Sequence, residues 1–391
     1  MENKPLLGIR VLEFGGYIAS PYAASLLASL GADVVKVERP VVGEDFRRGM
    51  NDASPYFVQY NAGKRSLAVD LKAPEGIDLI KALVPGFDVV IENLRPGKMA
   101  SLGLGRDALT AIKGDLVYAS VTGFGEGGPW AQRPAYDMIG QSFGGLVAVL
   151  GDDGKPQLTG TCLGDMVTGL STAAGILAAL IGKDISGTGV HMQTSLVEAA
   201  STLMVDSTTQ FFEDGKKDPS RQSRHPQAQN FCLKTASGES ITLHLSSSQK
   251  FWRALLDAIE RPELAEDPRF INYTDRVAHY SELEPIVIEE FRQRSADEWT
   301  KRLIAYDVPF APVNTVTMLR DSEQLEWLDL YEPERDGLSL MRPPWRFNGE
   351  RPRRDKAAPR VGEHTIDVAS EALSSDVIDR LISVGVLFQG A

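Results

Sequence analysis

Cysteine is nearly absent from this chain of 391 residues: Cys162 and Cys232 are the only two, far apart in sequence. A disulfide framework is therefore not expected, and a reducing compartment is. Histidine is scarce as well. Its five copies (191, 225, 244, 279 and 364) are scattered, and none forms an HxxxH or HExxH pattern, so no metal centre is expected. Basic charge is in deficit, with 41 Lys and Arg against 53 Asp and Glu, a net −12. Such a field repels a phosphate backbone, which argues against a nucleic-acid partner, but a local basic cluster still suffices for a small anion. The opening MENKPLLGIRVLEFGG lacks the basic start, apolar centre and small-residue cleavage site of a secretory signal. The most apolar long run, Met166 to Gly182, is 17 residues rich in Ala, Gly, Ser and Thr. It reads as a packed core helix and not a membrane span. The expectation is a cytoplasmic protein with no membrane partner.

What is present is an ordinary globular composition, 43% hydrophobic and 24% charged, in a length that suits two or three domains. Strand and helix signals alternate over residues 1–130. RVLEF is followed by a Gly15-Gly16 loop, then Ser20-Pro21 reads as an N-cap with proline at the first helical position. The helix YAASLLASLGAD stops at Gly31, and VVKVE is the next strand, which completes a βαβ unit. SLAVDL, a helix over 74–84, DVVIENL, a helix over 98–113 and LVYASVTGF continue the pattern. Five buried strands separated by helices predict a doubly wound parallel α/β sheet. Long helices rich in small residues follow over 136–149 and 165–182, and then the strand-like GVHMQTSL. The polar stretch 206–228 reads as a linker. NFCLKTASGESITLHL reads as a hairpin that opens a smaller α+β domain with amphipathic helices. A basic, proline-rich strip and a helix over 374–386 end the chain. The predicted division is 1–205 for the large domain, 206–322 for linker and small domain, and 323–391 returning to the large domain.

Three motifs compete for the chemistry. Gly15-Gly16 and Glu38 stand where a dinucleotide fingerprint and its ribose-binding acid would be, but Ile18 and Ser20 break GxGxxG, so a tight βα turn is the better reading. Gly140-Gln141-Ser142-Phe143-Gly144 matches GxSxG, yet the residues before it look helical, which suits close helix packing and not a nucleophile elbow. Asp165, in TGTCLGDMVTGL, opens the most apolar helix after a loop with Gly160 and Gly164. It is either a plain N-cap or a carboxylate with room for a ligand beside it. The helix dipole would favour its ionised form by about 0.3–1 kcal/mol. A carboxylate of ordinary pKa, about 3.9, is a nucleophile at neutral pH without a general base. The local residues leave both readings open.

The whole chain from residue 5 onward resembles the family III CoA-transferases, the group that holds formyl-CoA and carnitine CoA-transferases and α-methylacyl-CoA racemases. The resemblance rests on short matches in fixed order: GIRVLEF, GADVVKVERP, NAGKRSLAVDLK, ENLRPG, GFGEGGPWAQRPAYD, LGDMVTGL, SGTGVHMQTSLVEAA, DPRF, VPFAPVNT and PRVGEHT. It implies an interlocked homodimer whose large CoA-binding domain is built from both chain ends. It also implies that Asp165 is the catalytic aspartate, which forms an acyl anhydride and then an aspartyl-CoA thioester, with oxyanion donors expected among the amides of Gly164–Met166. No tightly bound cofactor is implied; coenzyme A enters as the acyl-CoA substrate and a carboxylic acid is its partner in the reaction. Ala19, Arg39, Lys72, Asn93 and Leu94 match CoA-binding positions, and Asp137 matches an acidic position near the catalytic aspartate.

Departures from the family pattern bear on substrate. Ile18 stands where formyl-CoA transferase has a glutamine, and LHLSSSQKF lacks that enzyme's glycine-run loop. An apolar Ile18 with neutral Ser246 and Gln249 suggests a larger or less charged acyl group than formyl or oxalyl. The racemase branch places a histidine before the acid matching Asp137, where this chain has Tyr136, a poor base at neutral pH. A transferase is thus favoured over a racemase, and over a CoA-ester-binding protein without turnover.

Overall fold

Strand residues alternate between two apolar layers. In the computed structural model, which describes residues 4–50 and 54–390, Val11, Val34, Val89, Val117 and Ala119 face one core, while Leu12, Val35, Val90 and Tyr118 face another. A sheet covered on both faces requires such two-sided burial. Its strands are β1 (Arg10–Phe14), β2 (Asp33–Glu38), β3 (Arg65–Val69), β4 (Val89–Glu92), β5 (Val117–Thr122) and β6 (Val190–Ser195), with β10 (Leu387–Phe388) from the far end of the chain. The order is β10-β3-β2-β1-β4-β5-β6. Strands β1 to β6 are parallel, and β10 pairs antiparallel with β3 at one edge. Besides the five strands expected, the sheet takes in β6, from the strand-like GVHMQTSL, and β10, which was not expected.

The helices are α1 (Ala19–Ser29), α2 (Pro55–Asn61), α3 (Pro74–Leu83), α4 (Lys98–Ser101), α5 (Arg106–Ile112), α6 (Asp137–Phe143), α7 (Leu146–Val149), α8 (Leu163–Ser186) and α9 (Leu196–Thr202). One core takes Ala24 and Leu27 from α1 and Ile176, Ala179 and Leu180 from α8; the other takes Leu79, Ile80 and Leu83 from α3 and Leu109 from α5. The helix expected over 98–113 is broken into α4 and α5, with Gly103 at φ +72° between them. Helix α8 is the one helix among the described residues long and apolar enough to cross a bilayer, yet it packs against α1, α9, β5 and β6. Ser20 is not a cap: α1 begins at Ala19, and the buried Ser20 hydroxyl has no partner among the described residues.

The chain separates into two compact units. The first comprises 1–147, 158–206 and 326–391; the second comprises 148–157 and 207–325. Segment 148–157, read from the sequence as part of the large domain, clusters with the second unit, where Arg221 pairs with Asp152 and donates its N–H to Gly151 O (2.9 Å). The stretch read as a linker is partly helical, over Val205–Glu213 and His225–Ala228. In the second unit β7 (Asn230–Lys234), β8 (Ser240–His244) and β9 (Phe310–Pro312) form an antiparallel sheet. Its core gathers Phe231, Trp252, Phe291 and Trp299.

Candidate active site

Strand order reverses between β1 and β4, and ligands of open α/β sheets bind in the crevice beyond the carboxyl ends of such a pair. Here the two loops leaving those strands hold each other. Asn93 Oδ1 accepts from the Gly16 N–H (3.1 Å), and Asn93 Nδ2 donates to Gly16 O (2.9 Å). Lys36 Nζ donates to Gly15 O (2.6 Å), and Glu44 Oε2 accepts from the Tyr17 N–H (3.0 Å). Tyr17 is thereby kept at φ +63°, a costly region for a residue with a side chain. Gly15 has no space for a Cβ, which would lie 2.4 Å from Ser20 Oγ.

Buried charges support this loop from below. Glu13 on β1 is in register with Lys36 on β2. Lys64 Nζ donates to Glu13 Oε2 (2.7 Å), Asn61 Oδ1 (2.9 Å) and Pro21 O (3.0 Å). Arg47 grips Glu38 with two bonds of 2.8 and 2.6 Å. The acids Glu13, Glu38 and Glu44 and the bases Lys36, Arg47 and Lys64 cancel in formal charge. Buried ions need such pairing. Glu38, committed to Arg47 and Ser66, is not placed to read a ribose.

Above the loop opens a cavity of about 600 Å³. Ile18, Ala19, Arg39, Lys72, Asn93, Leu94, Tyr136 and Asp165 all line it, so most of the residues singled out in the sequence come together. Arg95, Lys98 and Arg133 line it too and were missed. The signal for Arg95 and Lys98 was the pair of cations just beyond β4 in NLRPGK; Arg133, in AQRPAYD, stands alone in the sequence and had none. Arg39 is exposed and shares its guanidinium with Asp45 Oδ1 (2.5 Å) and Gly43 O (2.9 Å). Both ends of the Asn93 amide are spent on Gly16, so this side chain shapes the loop and is not offered to a ligand. Ser246 and Gln249 do not line the cavity; both belong to the second unit. Ser246 occupies a turn at φ +54°, its N–H donating to Ala228 O (2.9 Å). Gln249, at the start of a helix, is tied to Ile271 O (2.9 Å) and Arg276 (3.1 Å). Local structure accounts for both.

The first turns of α6 and α8 face each other. Asp165 is the third residue of α8, whose cap position is Cys162, so the plain N-cap reading fails. Asp137, which opens α6, instead reaches across: its Oδ1 accepts from the Asp165 N–H (3.0 Å). Gly164 permits the approach, since a Cβ there would meet Asp137 O at 3.0 Å and Oδ1 at 3.1 Å. The Met166 N–H donates to Cys162 O (3.0 Å). The amides of Asp165 and Met166 are therefore already engaged within the protein. Among the described residues neither Asp137 nor Asp165 forms an ion pair. Burial first, then the Asp137 charge, push the Asp165 carboxyl up to about 7. This corrects the expectation of an ordinary carboxylate, because a helix dipole worth about 0.3–1 kcal/mol is too weak to offset both effects. Burial and the same carboxylates raise the Cys162 thiol. Side-chain atoms of Asp137, Cys162 and Asp165 lie within 4.8 Å of one another. Gly140 and Gly144 of the GxSxG match are packing glycines: a Cβ on either would lie 2.7 Å from the Cβ of Leu196 or Ala200 on α9.

A doubly covered parallel sheet with a cation-lined crevice and a half-buried acid at a helix start defines the class, and residues 6–365 match the model of CoA-transferase family III. The chain belongs to that family and is an acyl-CoA:carboxylate CoA-transferase, with CoA thioesters as substrates. It is 32% identical over 393 residues to a succinate–glutarate CoA-transferase of Agrobacterium fabrum, covering 95% of this chain and 97% of that one. It is 29% identical to the Mus musculus succinyl-CoA:glutarate CoA-transferase, covering 99% and 91%. A crystal structure of a CAIB/BAIF family protein from Brucella suis superposes with a TM-score of 0.84 at 31% identity, over 95% of this chain and 100% of that chain.

Proposed function

We propose that Asp165 is the nucleophile that carries CoA between two carboxylic acids. An Asp165 carboxylate oxygen attacks the thioester carbonyl of the donor, the C–S bond breaks, and an aspartyl–acyl anhydride and CoA thiolate result. The thiolate attacks the aspartyl carbonyl, giving an aspartyl-CoA thioester and the free donor acid. The acceptor carboxylate then attacks this thioester and expels the thiolate, which finally attacks the acceptor's acyl carbonyl and restores the Asp165 carboxylate. Each step exchanges one activated acyl bond for another. The observation that carries the reading is Asp165 itself, an acid without a counter-cation among the described residues, on the wall of a cavity lined by five cations. Arg39, Lys72, Arg95, Lys98 and Arg133 suit the phosphates of CoA, and the Gly15–Ala19 loop and Leu94 suit its remainder.

Succinyl groups recur in the names of the relatives, alongside glutarate, D-citramalate and L-malate. We propose succinyl-CoA as donor and a dicarboxylic acid of that size as acceptor. Ile18, beside Tyr17, Tyr136 and Leu196 on the cavity wall, favours acids longer than oxalate. A cytoplasmic, interlocked homodimer completes the proposal; Ile181, Ile185 and Val205 are 62%, 83% and 70% exposed in the single chain and call for cover. No histidine lines the cavity among the described residues, which speaks against the racemase, since that reaction needs an acid/base group on each face of the carbon.

Intact-protein mass spectrometry after mixing with succinyl-CoA, followed by hydroxylamine trapping, tests the mechanism. An adduct is expected on Asp165 and none in Asp165→Ala. Its rate of formation should rise with pH through about 7, because only the ionised carboxyl attacks. No adduct, together with rapid α-proton exchange of a 2-methylacyl-CoA in deuterated water, would establish the racemase instead.

A further inference from the structure

The GxSxG match hides a different kind of residue. Its glutamine, Gln141, lies one turn after Asp137 on α6 and is fully buried. Its Nε2 donates to Asp137 Oδ2 (2.6 Å) and to Thr161 O (3.2 Å), two acceptors that fix which end of the amide carries the hydrogens. Its Oε1 accepts from Thr159 Oγ1 (2.8 Å). Asp137 passes the chain on through Oδ1 to the Asp165 N–H (3.0 Å). Gly164 is close enough that a Cβ would come within 3.3 Å of Gln141 Cγ. Four residues from α6, the 159–161 loop and α8 thus form one continuous line ending at the amide of the nucleophile.

We propose that Gln141 is a positioning residue for the transfer reaction: its amide clamps the Asp137 carboxylate so that Asp137 pins the first turn of α8 and holds its negative charge beside Asp165. This rests on the reading of Asp165 as nucleophile. The groups that face Asp165 are Asp137 from α6, Cys162 from the loop before α8, and the Tyr60 hydroxyl from α2. Of these, Asp137 is the carboxylate, and it is the one Gln141 controls. Loss of the Gln141 amide frees the Asp137 carboxylate to turn away from Asp165, which weakens the repulsion between the two and releases the α8 turn.

The test uses the full-length enzyme with Gln141→Met, which keeps the bulk and removes the amide, and Thr159→Val, which removes the hydroxyl that orients it. Two readouts are taken: the pH midpoint of the Asp165 carboxyl by carbon-13 NMR, assigned with Asp165→Asn, and the single-turnover rate of adduct formation from succinyl-CoA. In Gln141→Met the midpoint is expected to fall by at least about half a unit and the rate at pH 8 by about tenfold, with CoA affinity changed less than about twofold. Thr159→Val should move both readouts the same way by less. Unchanged midpoints and rates in the folded variants overturn the proposal, and so does a rate loss matched by an equal loss of CoA affinity. If Gln141→Met does not fold, Thr159→Val decides. If the wild-type enzyme forms no adduct, the nucleophile reading falls on that result, while the NMR midpoints still report whether Gln141 governs Asp165.

Discussion

The two ends of the cavity handle buried charge in opposite ways. Under the 15–18 loop, three acids and three bases interleave and cancel, and Lys36, Lys64, Glu38 and Glu44 each also fix a backbone group. At the start of α8, two carboxylates stand together with only N–H and amide donors between them. A balanced network does little for net stability, because desolvation of its ions offsets their attraction, but it determines one geometry. The unbalanced pair stores an unfavourable interaction, which in the proposed mechanism disappears when the Asp165 charge is consumed in an acyl bond. On the proposed function, that difference separates the work of binding from the work of reacting: the loop proposed for CoA is held still by neutralised charge, and the proposed nucleophile is driven by charge left over.

The largest effect should come from unbalancing the balanced end. Lys64→Met leaves the fully buried Glu13 without its closest cation, and removing one partner of a buried pair costs about 3–5 kcal/mol. Urea denaturation at pH 7 should show that loss in unfolding free energy, and a variant as stable as the wild type would mean the network is not cohesive. Relieving the unbalanced end should act in the opposite direction. Asp165 has a folded pKa of about 7 against an unfolded value near 3.9, so the folded state binds more protons between those limits and stability falls as pH rises across that window. Asp165→Asn removes the penalty. Its melting temperature should exceed that of the wild type most at pH 8 and match it near pH 4, while adduct formation is lost. Equal melting curves at pH 8 would show that Asp165 is not held in an unfavourable state.

How much of this was legible beforehand depends on how far each signal reaches along the chain. The sheet was legible because strand alternation is local: VLEF and VVKVE each announce two-sided burial. Edge strands β6 and β10 were less so, the first being half-buried and the second only two residues long. Asp165 was ambiguous by itself, since an N-cap and a nucleophile share one local context; the ordered family motifs singled it out. The buried network was not foreseen, although a lone Glu in VLEF and a lone Lys in VVKVE are charges in apolar strands that must find partners. Those partners come from separate elements, and no spacing rule connects Glu13 to Lys64. Asn93 lines the cavity, and its two bonds to Gly16, between separate loops, had no local signal. Ser246 and Gln249 were singled out by comparison with a family loop, and they lie in the second unit, not among the residues that line the cavity.

A subtler change sharpens the contrast at the reacting end alone. Gly164→Ala forces a Cβ against Asp137 O at 3.0 Å and Oδ1 at 3.1 Å, so α6 and α8 must part by a few tenths of an ångström. Misplacement on the scale of 1 Å at a reacting group costs about 100-fold in rate, so roughly tenfold in kcat is expected here. KM for the CoA donor should hold, because the loop that binds it is anchored elsewhere. A rise in KM without loss of kcat would mean the two ends are mechanically one.

The smallest effect belongs to the exposed rim. Arg39 faces solvent and its pair with Asp45 is exposed on both sides, an arrangement worth about 0–1 kcal/mol. Arg39→Ala should leave the melting temperature unchanged. It should raise KM for the acyl-CoA by about two- to fivefold at low salt, an effect that fades as ionic strength shortens the range of the charge. Four other cations line the same cavity, so no single one is expected to be indispensable. Were Arg39→Ala instead to abolish binding at every salt concentration, the rim would be acting through a specific, directed contact, and the division between a fixed loop and a diffuse basic wall would have to be redrawn.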